Sequence, residues 1–267
     1  MFSTRVTRTA ISLGILALSG SLSPAIAGTT AVTVTIRNLA PTNSVSFAPL
    51  RLGFGNGTFD AFNIGQVAGP EIVSVAEGGS GSAWLPAFAA AEPGAVIGSV
   101  GGALFPGMTT SSTFIVDSMS VNNRFFTFAN MVIPSNDLFL GNDNPMAFQL
   151  FDASGNLLIT QIDQTAAQIW DANSEVAIPL NGAFIVGSNN SARVAEGGLV
   201  AFDRSELTAF NGLTTGAGYT FSDTALTNST PIYRISFSAS PAPEPGSLLF
   251  LAAGAGILAL KRRRRAL

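Results

Sequence analysis

Two acidic stretches hold the residue types that could do chemistry in this chain of 267 residues. The first, IPSNDLFLGNDNP, carries Asn136, Asp137, Asn142, Asp143 and Asn144 where a strand should end. The second, IWDANSEV, carries Asp171, Asn173 and Glu175 at alternating positions. In an extended segment, residues i, i+2 and i+4 project to one side, so three oxygen-bearing side chains converge there. A hard cation such as calcium takes roughly six to eight oxygens from carboxylates, amides, carbonyls and water. The two stretches together offer much of that shell. Asp and Asn also mark turns for purely local hydrogen-bonding reasons, and residue types alone leave both readings open.

Composition removes most other chemistries. The chain has no cysteine and no histidine, so disulfides, thiolate nucleophiles, the usual zinc or haem ligands and the commonest general base are all absent. There is no Gly-x-Ser-x-Gly elbow, and the glycines of EGGSGS are not followed by the Gly-Lys-Ser/Thr of a phosphate loop. A pair of carboxylates can still run glycoside hydrolysis, and sequence spacing leaves that alternative open. Residues 28–240 hold six arginines (Arg37, Arg51, Arg124, Arg193, Arg204 and Arg234), no lysine and fifteen carboxylates, nine net negative charges. Such a body repels phosphate backbones and anionic lipid, which argues against nucleic acid and peripheral membrane binding. It suits cations.

The elements that must position these residues read mostly as strands. AVTVTIRNL (31–39) alternates apolar and polar residues of β-branched type. SVSFAPLRLGF, STFIVDSMSV, FFTFANMVI, MAFQLFD, NLLITQI, GAFIVG, GLVAFD and IYRISFSAS read the same way, separated by clusters such as GNGT, EGGSGS, NDNP and TTGAG. MAFQLFDASGNLLITQI predicts a hairpin turning at 153–156. SAWLPAFAAAEPGAV leans helical until Pro93 and Gly94 stop it. Many short strands with Gly- and Pro-rich turns predict an all-β, antiparallel sandwich, and 20 phenylalanines suit two sheets packed face to face. Trp84 and Trp170 have rings suited to sugar stacking, but large aromatics are mostly buried, so a core or rim place is expected for both.

Both ends read as processing signals. Arg5 and Arg8, an apolar run from Ala10 to Leu18 and small residues at Ala25 and Ala27 follow the order of a secretory signal peptide, cleaved after Ala27. At the other end, Ser247–Leu260 is fourteen residues, about 21 Å as a helix, against a hydrocarbon core of about 30 Å. It follows Pro243, Glu244 and Pro245 and precedes Lys-Arg-Arg-Arg-Arg. These three parts resemble the PEP-CTERM sorting signal of Gram-negative bacteria. That resemblance implies export through the inner membrane, transient anchoring by the C-terminal helix and cleavage by an exosortase. The destination it implies is the cell surface or an exopolysaccharide matrix.

FFTFANMVIPSNDLFLGNDNP, followed by QIWDANSEV, resembles the spondin N-terminal domain family. The run from Met131 to Gly141 keeps that family's first phrase nearly whole. The second phrase has Asn173 and Ser174 where Gly-Thr is usual, while Asp171 and Glu175 keep their spacing. A Gly there serves close backbone approach, and Asn is the replacement that best tolerates a left-handed conformation. The resemblance spans roughly residues 30–238. It implies an eight-stranded sandwich of the calcium- and lipid-binding type, with a calcium ion held by Asp137, Asp171 and Glu175. Asp143 is then a turn residue. Family members in animals belong to matrix and adhesion proteins, which implies a binding module with no catalytic role, directed at a matrix glycan or exopolysaccharide. The expected organisation is a signal peptide (1–27), a spondin-like domain (28–240) and a sorting signal (241–267). The alternatives are a carboxylate glycoside hydrolase and a passive structural surface protein.

Overall fold

Alternation in the first strand is the simplest place to see the fold form. In β1 (Thr29–Asn38), Val32, Val34, Ile36 and Asn38 are buried while Thr33, Thr35 and Arg37 face outward. The computed structural model describes residues 29–242. There β1 lies between β5 (Thr109–Asp117) and β11 (Pro231–Pro241), and β8 (Gln161–Thr165) completes a four-stranded antiparallel sheet in the order β5-β1-β11-β8. The second sheet is also antiparallel, with seven strands. It contains β2 (Ser46–Phe47), β3 (Leu50–Gly55), β4 (Val96–Val100), β6 (Phe125–Ile133), β7 (Leu138–Gly141), β9 (Trp170–Asp171) and β10 (Ala201–Phe202). Its order is β10-β9-β7-β6-β3-β4, with β2 paired to β6.

The sheets pack face to face through a phenylalanine-rich layer. Phe126 of β6 meets Phe237 of β11 edge-on at 4.8 Å, and Phe54 of β3 lies 5.6 Å from Phe114 of β5. This is the expected sandwich, but the seven-stranded sheet carries a third layer. Helices α1 (Pro70–Gly78) and α2 (Trp84–Ala91) bury Ile72, Val75, Trp84 and Phe88 against Ala129, Phe139 and Trp170. That layer explains β6, where every residue after Phe125 is buried. A strand covered on both faces has no reason to alternate, and FFTFANMVI does not.

α2 occupies the stretch expected to be helical and ends two residues before Pro93. α1 is an addition to the expected all-β plan. Its β-branched run (Ile72, Val73, Val75) favours strand locally, but Pro70 at its start and Gly79 beyond its end, in the left-handed region at φ +58°, are helix punctuation. MAFQLFD and GAFIVG form single bridges only, and β8 begins near the end of NLLITQI. The hairpin turn is present: Asp152 N donates to Asn156 O, and Gly155 takes φ +79°. Among the described residues no helix is long and apolar enough to cross a membrane. Ala25, Ala27, Pro243, Glu244, Pro245 and the apolar segment 247–260 lie outside the described residues.

α2 approaches β3 so closely that a Cβ on Gly53 would stand 2.4 Å from the Phe88 ring. Just past that helix, Glu92 is 3% exposed and its carboxylate accepts hydrogen bonds from the N–H groups of Asn56, Thr58 and Phe59. One side chain thereby holds the loop after β3 against the helix layer. Glu92→Gln removes the charge from three converging donors and is expected to cost about 2 kcal/mol. Urea denaturation reads the shift in midpoint, and an unchanged midpoint would mean the loop holds itself.

Candidate metal centre

Between β6 and β7 the chain turns through Pro134–Asp137, and Ser135 locks the turn. Its hydroxyl donates to Val132 O at 2.5 Å and accepts from Leu138 N at 3.2 Å. This delivers Asp137, fully buried, to the head of β7. β9 pairs with β7, setting Asp171 opposite Leu138, so the segment after β9 wraps the Asp137 carboxylate. Oδ2 accepts from Ser174 N at 2.6 Å and from Glu175 N at 2.9 Å. The Ser174 hydroxyl lies 3.1 Å from Asp137 Oδ2 and 2.9 Å from Glu77 Oε1, and its single proton serves one of the two at a time.

The wrapping passes through Asn173. Asn173 sits at φ +48°, in the left-handed region, and its side chain donates to Leu199 O at 2.9 Å. Across from it, a Cβ on Gly198 would stand 2.6 Å from the Asn173 Cβ. The close backbone approach is thus met by a glycine on the partner segment.

Asp137 and Asp171 are near enough for the charge of one to act on the other. Asp171 is half-buried, and its Oδ1 accepts from Asn173 N at 2.7 Å. Burial, then the Asp137 charge, pushes its carboxyl up to about 7. Burial also raises Asp137, against the pull of the Glu175 and Ser174 donors. Glu175 is buried beside them but faces Arg193: Oε1 accepts from Asn136 Nδ2 at 3.0 Å, and Oε2 lies 3.6 Å from Arg193 Nε. Asn142 and Asn144 close a turn at the opposite end of the four-residue β7, about 13 Å away at the rise of a strand. Of the first stretch, only Asn136 and Asp137 therefore meet the second, and Asp143 belongs to the turn with Asn142 and Asn144.

Three residues complete the cluster without any signal in the sequence. Glu77, at the end of α1, pairs with Arg193 Nη1 at 3.1 Å. Glu206 lies on the 3-10 helix Ser205–Phe210, is 8% exposed and accepts from Asn136 N at 3.1 Å. Burial first, then the charges of Asp137 and Asp171, push it up to about 9. The cluster has two halves. Arg193 compensates Glu77 and Glu175, whereas among the described residues no cation stands within ion-pair distance of Asp137, Asp171 or Glu206.

A hard cation fits that second half. Asp137 Oδ1 and Asn136 Oδ1 are buried with no hydrogen-bond partner, and unpaired buried oxygens are costly unless something positive meets them. Asp137 Oδ1, Asp171 and Glu206 are the carboxylate donors available, all hard oxygen ligands. Among the described residues no group of three acidic side chains stands in coordinating positions. Trp84 and Trp170 are both in the core, Trp170 donating from Nε1 to Gly141 O at 3.1 Å.

No family model matches the chain, and no curated protein matches it either.

Proposed function

We propose that this domain is a secreted, non-catalytic, calcium-binding module of the spondin N-terminal type. It works at the surface or in the exopolysaccharide matrix of a Gram-negative cell, and its tail is removed by an exosortase. Before that step only the C-terminal helix holds it to the membrane. The observation that carries the reading is the Asp137 carboxylate, wrapped on one oxygen by the loop after β9 and left without a partner on the other. The two facing antiparallel sheets are compatible with it. Calcium at Asp137, Asp171 and Glu206 would supply the positive charge that this half of the cluster lacks. Glu175 supports the site from the Arg193 side, through Asn136.

Burial of the carboxylates argues against the hydrolase alternative. Two acids that cleave a glycosidic bond must both reach it, and Asp137 and Glu206 are closed off from solvent. Incubation with polysaccharides is accordingly expected to release no reducing ends.

Calorimetric titration of the 29–242 domain with calcium tests the metal reading. Intact domain is expected to bind one ion, and Asp137→Ala and Asp171→Ala to abolish the signal. No heat from intact, folded protein would sink the claim.

Linkage gives a second test. Asp171 and Glu206 bind protons more tightly folded than unfolded, so the stability these two groups contribute without metal is fully present at low pH. It falls as pH rises from the unfolded carboxyl range through about 7 and about 9. Calcium requires the deprotonated forms, so the melting-temperature gain from calcium over a chelator should grow between about pH 5 and about pH 8. Glu206→Gln keeps the acceptor for Asn136 N but removes the carboxyl that must lose its proton to hold calcium. It should weaken calcium about tenfold and lift the metal-free melting temperature only as pH approaches about 9, where Glu206 takes on a buried charge. A variant with unchanged calcium affinity would remove Glu206 from the site.

A further inference from the structure

Beside β10 lies a cavity of about 440 Å³ lined by none of Asp137, Asp171 and Glu206. Its size falls in the range of small-ligand pockets. Its lining is apolar at Ile169 and Phe202 and polar at Asp203, Arg204, Thr208 and Asn228.

Phe202 is 51% exposed although it sits in a strand, where a threonine would serve β10 equally well. A single exposed apolar residue needs no explanation. This one, however, is fixed. Phe202 stands opposite Trp170 in the β9–β10 ladder, and their rings stack with centroids 3.6 Å apart and planes 22° from parallel. Trp170 is in turn tied to Gly141 O and is 4% exposed. One face of the phenylalanine is therefore held against a rigid ring while the rest is presented to the cavity.

The polar lining is half satisfied. Arg204 donates from Nη2 to Asn228 Oδ1 at 3.1 Å and has no carboxylate within ion-pair distance among the described residues. Its neighbour Asp203 is occupied at the start of the 3-10 helix: Oδ1 accepts from the N–H groups of Arg204 and Ser205, and Oδ2 from the Ser205 hydroxyl. Guanidinium donors thus remain for a ligand, beside an open aromatic surface.

We infer that this cavity binds a pyranose unit of an oligosaccharide. Such a ring has one apolar C–H face for Phe202 and a rim of hydroxyls for Arg204 and Asn228, which matches the two kinds of lining. A purely apolar ligand would leave the guanidinium with Asn228 as its one side-chain acceptor. A phosphate-rich one meets a body of nine net negative charges, with Asp203 in the same lining. The inference rests on the binding-module reading above but not on calcium.

The test is calorimetric titration of the 29–242 domain, with and without calcium, against neutral and uronate oligosaccharides. Tryptophan emission is followed in parallel, because Trp170 lies directly behind Phe202. At least one oligosaccharide is expected to bind at one site and shift the emission. Phe202→Ala and Arg204→Ala should each weaken it about tenfold, and Phe202→Tyr, which keeps the ring face, should restore it. Both alanine variants should keep the calcium-dependent rise in melting temperature, which shows that they are folded and separates this site from the metal centre. Failure of every oligosaccharide to bind the folded domain, or binding that neither alanine variant weakens, overturns the inference. Loss of the calcium response with sugar binding intact would sink the metal reading and leave this one standing.

Discussion

A carboxylate taken out of water costs several kcal/mol unless donors replace its lost hydration, and Asp137 occupies such a position at the head of β7. The donors come from Ser174 and Glu175, nearly forty positions later in the chain. To bring them there, β9 must pair with β7, and Asn173 must turn through the left-handed region against Gly198. One buried charge therefore dictates the path of a long stretch of backbone. It also explains why the segment 173–198 is ordered with so little regular structure. The loop is held by Asp137 and by bonds such as Glu196 N to Ser174 O and Gly198 N to Asn173 O.

The layers around that charge decide its dielectric setting. β6 and β7 are covered by the opposing sheet on one face and by α1 and α2 on the other. α1 ends where Glu77 reaches Ser174 and Arg193, so the helix layer closes the cluster as well as packing the sheet. Within this setting Asp137 Oδ1 and Asn136 Oδ1 are buried without a hydrogen-bond partner.

What could be read in the sequence depended on how far each feature's cause lay along the chain. β1 and β11 announce themselves because each has one wet and one dry face, so the period of two is written in their residues. β6 was readable as a strand of the same kind from its β-branched and aromatic residues, although FFTFANMVI does not alternate, because both of its faces are covered. α1 was not: its apolar spacing reads as strand, and it becomes a helix by packing on β6 and β7. Asp137 and Asp171 were legible because a strand end and an alternating tripeptide are local patterns. Glu206 and Arg193 carry no local mark, and their roles come from contacts with residues far away in sequence, such as Asn136. The tryptophans were readable only as a class. That Trp170 would brace an exposed Phe202 required the β9–β10 pairing, two residues long, which no pattern of that length encodes.

The division of the acidic cluster bears on what kind of ion it suits. Arg193 is shared by Glu77 and Glu175, so that half is close to neutral and serves to hold Asn136. The other half concentrates Asp137, Asp171 and Glu206 with only backbone N–H groups and the Ser174 hydroxyl to offset them; the Asp137 charge pushes Asp171 toward protonation, and both push Glu206. A monovalent cation would neutralise one charge of three and leave the repulsion largely in place. Soft or borderline metals gain little where no thiolate or imidazole exists in the chain. A divalent, oxygen-seeking ion with tolerance for irregular shells removes most of the repulsion at once. It also suits carboxylates set on a loop, a strand end and a 3-10 helix, none of which could enforce the near-ideal octahedron that magnesium demands.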